Sequence, residues 1–82
     1  MASERILVVD DEEANREFLY ELLTHEGYEV ETAEDGFAGL ELLQQAPVNL
    51  LLSDLKMPEM SGVDLIRQMT ELSPFTVGVI FT

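Results

Sequence analysis

Few residues in this sequence are placed to do chemistry: the adjacent acids Asp10 and Asp11, the single acid Asp54 with Lys56 two residues on, and the terminal Thr82. Each follows an apolar run. Ile6-Leu7-Val8-Val9 leads into Asp10, Val48 to Ser53 leads into Asp54, and the stretch from Thr76 leads into Thr82. Runs this aliphatic suit strands buried on both faces of a parallel sheet, and such sheets bind ligands just outside the carboxyl ends of their strands. If the first and third strands are neighbours, Asp10, Asp11 and Asp54 meet at one spot, with Thr82 at the corresponding end of the fourth strand. Carboxylates that close repel one another unless a cation or proton neutralises them. Oxygen donors without His or Cys nearby favour Mg²⁺, which takes one or two protein carboxylates and shares phosphate oxygens. The chemistry this allows is attack of a carboxylate on a phosphoryl group to give an acyl phosphate, with Asp54 as the candidate nucleophile.

Taken singly, every one of these residues has a plainer reading. Asp10 and Asp11 could cap the helix that follows them, Asp54 could be a loop acid, Lys56 a solvated charge and Thr82 a strand former. Their joint placement at three strand ends is what argues for a site.

The elements that would position them alternate regularly. After the first strand and its acidic exit, Ala14, Phe18, Leu19, Leu22 and Leu23 recur at helical spacing as far as His25, and Gly27 stops the helix. Tyr28 to Ala33 alternates apolar and acidic residues, as an edge strand with one wet face does. Asp35-Gly36 reads as a turn, and Phe37 to Gln45 as a helix with Leu40 and Leu43 inward, ending before Pro47. The third strand is the apolar run Val48 to Ser53, and Asp54 to Gly62 is a loop. Val63, Ile66, Met69 and Leu72 trace a third helix face, Pro74 ends it, and Thr76 to Thr82 is the fourth strand. Alternation of this kind predicts an α/β fold with right-handed crossovers around a parallel sheet.

Composition sets limits. At 82 residues the chain is one domain at most, and 46% apolar residues predict a packed core. Seventeen acids against four Lys and Arg give a formal charge of −13, a field that disfavours direct contact with nucleic acid or anionic membrane. Cysteine is absent, which excludes disulfides and thiolate metal sites. With neither a signal-peptide pattern nor a span-length apolar run, the expected location is the cytoplasm.

The stretches Ile6-Leu7-Val8-Val9-Asp10-Asp11-Glu12 and Leu51-Leu52-Ser53-Asp54-Leu55-Lys56-Met57-Pro58-Glu59-Met60-Ser61-Gly62 resemble the receiver domain of bacterial two-component response regulators. The resemblance runs the length of the chain, and the acid followed by the Met-Pro and Gly loop is its most specific part. It implies a flavodoxin-like sheet of order 2-1-3-4. It further implies that Asp54 accepts a phosphoryl group from a phosphohistidine on a sensor histidine kinase or phosphotransfer protein. Asp11 would bind Mg²⁺ directly, Asp10 directly or through water, and Lys56 through its backbone carbonyl. Thr82 matches the switch hydroxyl that turns toward the phosphate, and the helix from Ala14 to His25 matches the kinase-docking surface. Such a protein catalyses at most its own phosphorylation and dephosphorylation.

Family members continue past this threonine into a helix, a strand with a phosphate-contacting lysine, and a last helix. On this resemblance residues 1–82 are expected to correspond to the N-terminal portion of one receiver domain, incomplete without those elements, with the fourth strand an open edge prone to self-association. Two rival readings follow. One is a phosphorylation-independent oligomerisation or scaffold piece of receiver origin. The other is a free-standing Mg²⁺ phosphohydrolase of the haloacid-dehalogenase type, which is disfavoured because its acids would alternate after the first strand instead of standing together. The sequence has no GxxxxGK loop for nucleotide.

Overall fold

A computed structural model describes residues 4–81. Strand β1 (Arg5–Val9) leads to helix α1 (Glu13–His25), β2 (Glu29–Ala33), α2 (Gly36–Gln45), β3 (Leu50–Asp54), α3 (Gly62–Leu72) and β4 (Val77–Phe81). The four strands form one parallel sheet in the order β2-β1-β3-β4, the flavodoxin-like arrangement expected. The uninterrupted aliphatic run of β1 occupies the centre, where Leu7, Val8 and Val9 are wholly buried, while β2 with its alternating acids lies at one edge.

The main core lies on the side of the sheet covered by α2 and α3. Leu7 and Val9 of β1, Leu51 of β3, Leu43 of α2, and Leu65 and Met69 of α3 fill it. Close approach of α2 depends on Gly39, where an added Cβ would stand 3.1 Å from the Val9 Cγ2. Helix α1 lies on the other side, packed over β1 and β2.

Three local expectations are corrected. Asp35-Gly36 is a helix start, not a free turn: Asp35 caps α2 by accepting a hydrogen bond from the Ala38 N–H at 2.8 Å, and Gly36 opens the helix. Strand β3 begins at Leu50, because Val48 and Asn49 serve as anchors instead; the Thr76 hydroxyl donates to the Val48 carbonyl at 2.7 Å. The inward face of α3 runs Gly62, Leu65 and Met69, leaving Val63 43% and Leu72 49% exposed. A line of every third residue precesses by about 60° per step on an α-helix, so Val63, two steps from Met69, falls off the buried face, while Leu72 is exposed as the last residue of the helix.

Candidate metal centre

The C-terminal ends of β1 and β3 bring Asp10, Asp11 and Asp54 together. Adjacent pairing of the two strands sets Val9 beside Ser53, so the residues that follow emerge side by side. One carboxylate oxygen from each acid lies within 4.8 Å of the other two. Asp10 is fully buried, Asp54 partly buried and Asp11 exposed. Asp54 is the last residue of β3, paired with Phe81 of β4, rather than the first of the loop.

Asp10 is held from three directions. Its Oδ1 accepts from the Glu12 N–H at 2.9 Å, its Oδ2 from the Asn15 amide at 3.2 Å, and its main-chain carbonyl from the Arg16 guanidinium at 2.7 Å. These contacts replace the capping role: Glu12 occupies the N-cap of α1 and no side chain caps the helix. Asn15 and Arg16 escaped the sequence reading, although a polar pair five and six residues beyond Asp10 falls about one and a half helical turns on, within reach of the strand end.

Asp54 sits at the head of a tightly anchored loop. Met57 and Met60 are buried against the core, and between them Glu59 takes a left-handed conformation at φ 69°. The Gly62 N–H closes the loop by donating to the Leu55 carbonyl at 2.9 Å. Lys56 is exposed and lines a cleft of about 650 Å³ with Asp10, Asn15, Phe18, Asp54 and Phe81. The sequence sets Lys56 two residues beyond Asp54 but does not show the cleft, one wall of which is Phe18, an apolar residue at helical spacing in α1 that is 65% exposed. Thr82 lies outside the described residues.

No Lys or Arg pairs with these carboxylates: among the described residues the ion pair formed is Arg5–Glu31, remote from the site, and the Arg16 guanidinium meets Asp10 at its main-chain carbonyl. At the 4.8 Å limit, two full charges such as those of Asp10 and Asp54 repel by about 3.5 kcal/mol at an effective dielectric constant of about 20. Three oxygen donors, one of them fully desolvated and prearranged by hydrogen bonds, fit a hard divalent cation.

The description "Response regulator receiver domain" matches residues 6–82 of the sequence. The chain belongs to this family. Among proteins similar to this receiver, the response regulator receiver protein CpdR of Brucella abortus is 43% identical over 70 residues, which cover 85% of this chain and 58% of that protein. The transcriptional regulatory protein GlrR of Escherichia coli is 40% identical over 77 residues, covering 94% of this chain and 17% of the relative. The receiver thus spans less than two thirds of either relative. The chemotaxis protein CheY4 of Vibrio cholerae superposes with a TM-score of 0.92 at 33% identity, over 96% of this chain and 68% of that one. The receiver domain of the hybrid histidine kinase CckA gives 0.87 at 33% identity, over 93% and 72%. Likeness at this level covers both fold and family, and places the receiver in two-component signalling. Among the described residues no helix is long and apolar enough to cross a membrane.

Proposed function

We propose that this receiver is a phosphoacceptor signalling module in which Asp54 takes a phosphoryl group from a phosphohistidine on a sensor histidine kinase or phosphotransfer protein. The observation that carries this reading is the convergence of Asp10, Asp11 and Asp54 at the carboxyl edge of a receiver sheet. Asp11, Asp54, Asp10 directly or through water, and the Lys56 backbone carbonyl are the groups that would hold Mg²⁺. Bound there, Mg²⁺ supplies positive charge to the oxygens of the transferring group.

The chain's own part is nucleophilic. An Asp54 carboxylate oxygen forms a bond to phosphorus as the phosphorus–nitrogen bond to the donor imidazole breaks, the electron pair stays on the imidazole nitrogen and a proton joins it. The product is an aspartyl phosphate. Partial burial of Asp54 removes some of the water that would compete for its oxygens, and the fixed Asp10 keeps negative charge close, which favours cation binding. Thr82 is the hydroxyl that would turn toward the phosphate. The chain acts as acceptor and turns over nothing beyond its own phosphorylation and dephosphorylation.

For the donor, α1 offers Phe18 and Leu22, both exposed on a helix that flanks the cleft. Exposed apolar residues beside a charged site suit a protein partner, and the charge of −13 argues against nucleic acid as a direct partner of this segment. Phosphoramidate, whose phosphorus–nitrogen bond mimics phosphohistidine, tests the donor chemistry: with Mg²⁺ it should convert the chain to a slower-migrating species on a phosphate-affinity gel, and Asp54→Asn should not shift. A shift that persists in Asp54→Asn would place the acceptor elsewhere.

A second reading, association or scaffolding without phosphorylation, is favoured by one feature. The outer edge of β4 has no strand partner among the described residues, and Val77 and Val79 on it are exposed without a single charge. Such an edge is a template for pairing with another copy. Light scattering across the micromolar range separates the readings: a monomer throughout removes association through β4.

A further inference from the structure

The main-chain carbonyl of the acceptor residue is enclosed on two sides by groups that the acid cluster does not include. Ser53, fully buried on the core face of β3, donates its hydroxyl to the Asp54 carbonyl at 2.9 Å. Gly62, the first residue of α3, is buried against the same atom: a Cβ built there would overlap the Asp54 carbonyl oxygen and lie 3.1 Å from the Ser53 Oγ. From that position the Gly62 N–H also donates to the neighbouring Leu55 carbonyl at 2.9 Å. Two successive carbonyls around the acceptor are thus fixed by one serine hydroxyl and one residue without a side chain.

We infer that Ser53 and Gly62 are positioning residues, acting together on the Asp54 carbonyl to aim the Asp54 carboxylate at Asp10 and Asp11. A serine is out of place in the apolar run Leu50-Leu51-Leu52 unless its hydroxyl has a buried partner, and the partner it has is the peptide of the reactive residue. Pairing with Phe81 holds the backbone of Asp54 from the β4 side. Fixing its carbonyl from the core side as well leaves the Cα, from which the carboxylate projects, little room to shift, and a carboxylate that must share a cation with two others gains most from being fixed. Contact with α3 is direct as well: a Cβ at position 62 overlaps the Asp54 carbonyl oxygen, so the Asp54 peptide and the start of α3 cannot both keep their places.

The inference deepens the phosphoacceptor reading and rests on it where adduct formation is measured, so the test reads Mg²⁺ affinity beside it. Mg²⁺ titrations followed by NMR and acetyl phosphate labelling rates are compared for the parent, Ser53→Ala, Ser53→Thr, Gly62→Ala and the double variant Ser53→Ala/Gly62→Ala. Gly62→Ala should weaken Mg²⁺ binding and slow labelling by about 10- to 100-fold, in the range of other groups that orient metal ligands. Ser53→Ala should do so to a lesser extent, and Ser53→Thr, which keeps the hydroxyl, should restore it. Because both residues act through one carbonyl, the double variant should match Gly62→Ala within about twofold instead of multiplying the two losses.

Multiplicative losses, or melting temperatures that fall while Mg²⁺ affinity holds, would show merely structural roles and overturn the inference. If Gly62→Ala does not fold, the Ser53→Ala and Ser53→Thr pair decides it: equal Mg²⁺ affinities in both overturn it. A parent chain that binds Mg²⁺ but is never labelled overturns the phosphoacceptor reading instead, and the clamp is then judged on Mg²⁺ affinities alone. A parent chain that binds no Mg²⁺ overturns both.

Discussion

Asp10 is the one charged side chain buried completely among the described residues, and its surroundings explain why that is tolerable. Burying a carboxylate is costly unless its oxygens are hydrogen-bonded, and here a backbone N–H and an amide satisfy them. Neither forms an ion pair with the carboxylate, the Arg16 guanidinium bonds only the main-chain carbonyl, and Asp11 and Asp54 add negative charge within 4.8 Å. A cation that binds this folded cluster stabilises the fold by linkage: at ten times its Kd, Mg²⁺ adds about 1.4 kcal/mol, which raises the melting temperature of a chain this size by about 6–10 °C. Calorimetry with and without Mg²⁺, against NaCl of equal ionic strength, checks this. Asp11→Ala, which removes an exposed ligand without unfolding anything, should abolish most of the Mg²⁺ shift; a full shift in that variant would mean that the cation sits elsewhere.

Among the elements, α3 shows best what holds the site in place. Its Ser61 cap accepts from the Asp64 N–H, its first residue touches the Asp54 peptide, and Leu65, wholly buried, anchors it in the core. Leu65→Ala should cost about 2–5 kcal/mol in urea unfolding, whereas Val63→Ala, on the exposed side, should cost about 0.5 kcal/mol or less; equal costs would contradict the face assigned to the helix. Removing the α2 cap by Asp35→Ala should cost about 1 kcal/mol. The contrast between Leu65 and Val63 also marks how far the sequence was legible. The strands β1 and β3, and the acids at their ends, follow from apolar runs that end in acid, whereas the strand order that brings Asp10, Asp11 and Asp54 together comes from the resemblance to the receiver family and is what the sheet shows. The α3 face did not follow, since Val63-Ile66-Met69-Leu72 matches helical spacing locally and drifts off it over three turns. Helical spacing groups Phe18 and Leu22 with the other apolar residues of α1 without saying which are covered, and α1, packed over β1 and β2, leaves these two outside. Which side of an amphipathic helix is covered depends on its neighbours, and Asn15, Arg16 and Ser53 likewise acquire their roles only when the strand ends are in place.

At the scale of the whole molecule, charge and architecture act together. A chain with a formal charge of −13 repels itself, and concentrating three acids at one sheet edge adds to that strain at a defined place. The family's sheet order makes that edge the meeting point of β1 and β3, so a cluster that costs charge repulsion on folding is also the one that, in the proposed function, would bind a cation and present a nucleophile. This connection is the centre of the account, and it makes Asp54 chemically distinct from the other acids of the chain. Intact-mass spectrometry after incubation with acetyl phosphate and Mg²⁺, followed by peptide mapping, tests it most directly. The account predicts one added phosphoryl group per chain, mapped to Asp54, dependent on Mg²⁺ and lost in Asp54→Asn. Labelling that is absent in the parent chain, indifferent to Mg²⁺ or undiminished in Asp54→Asn would contradict it.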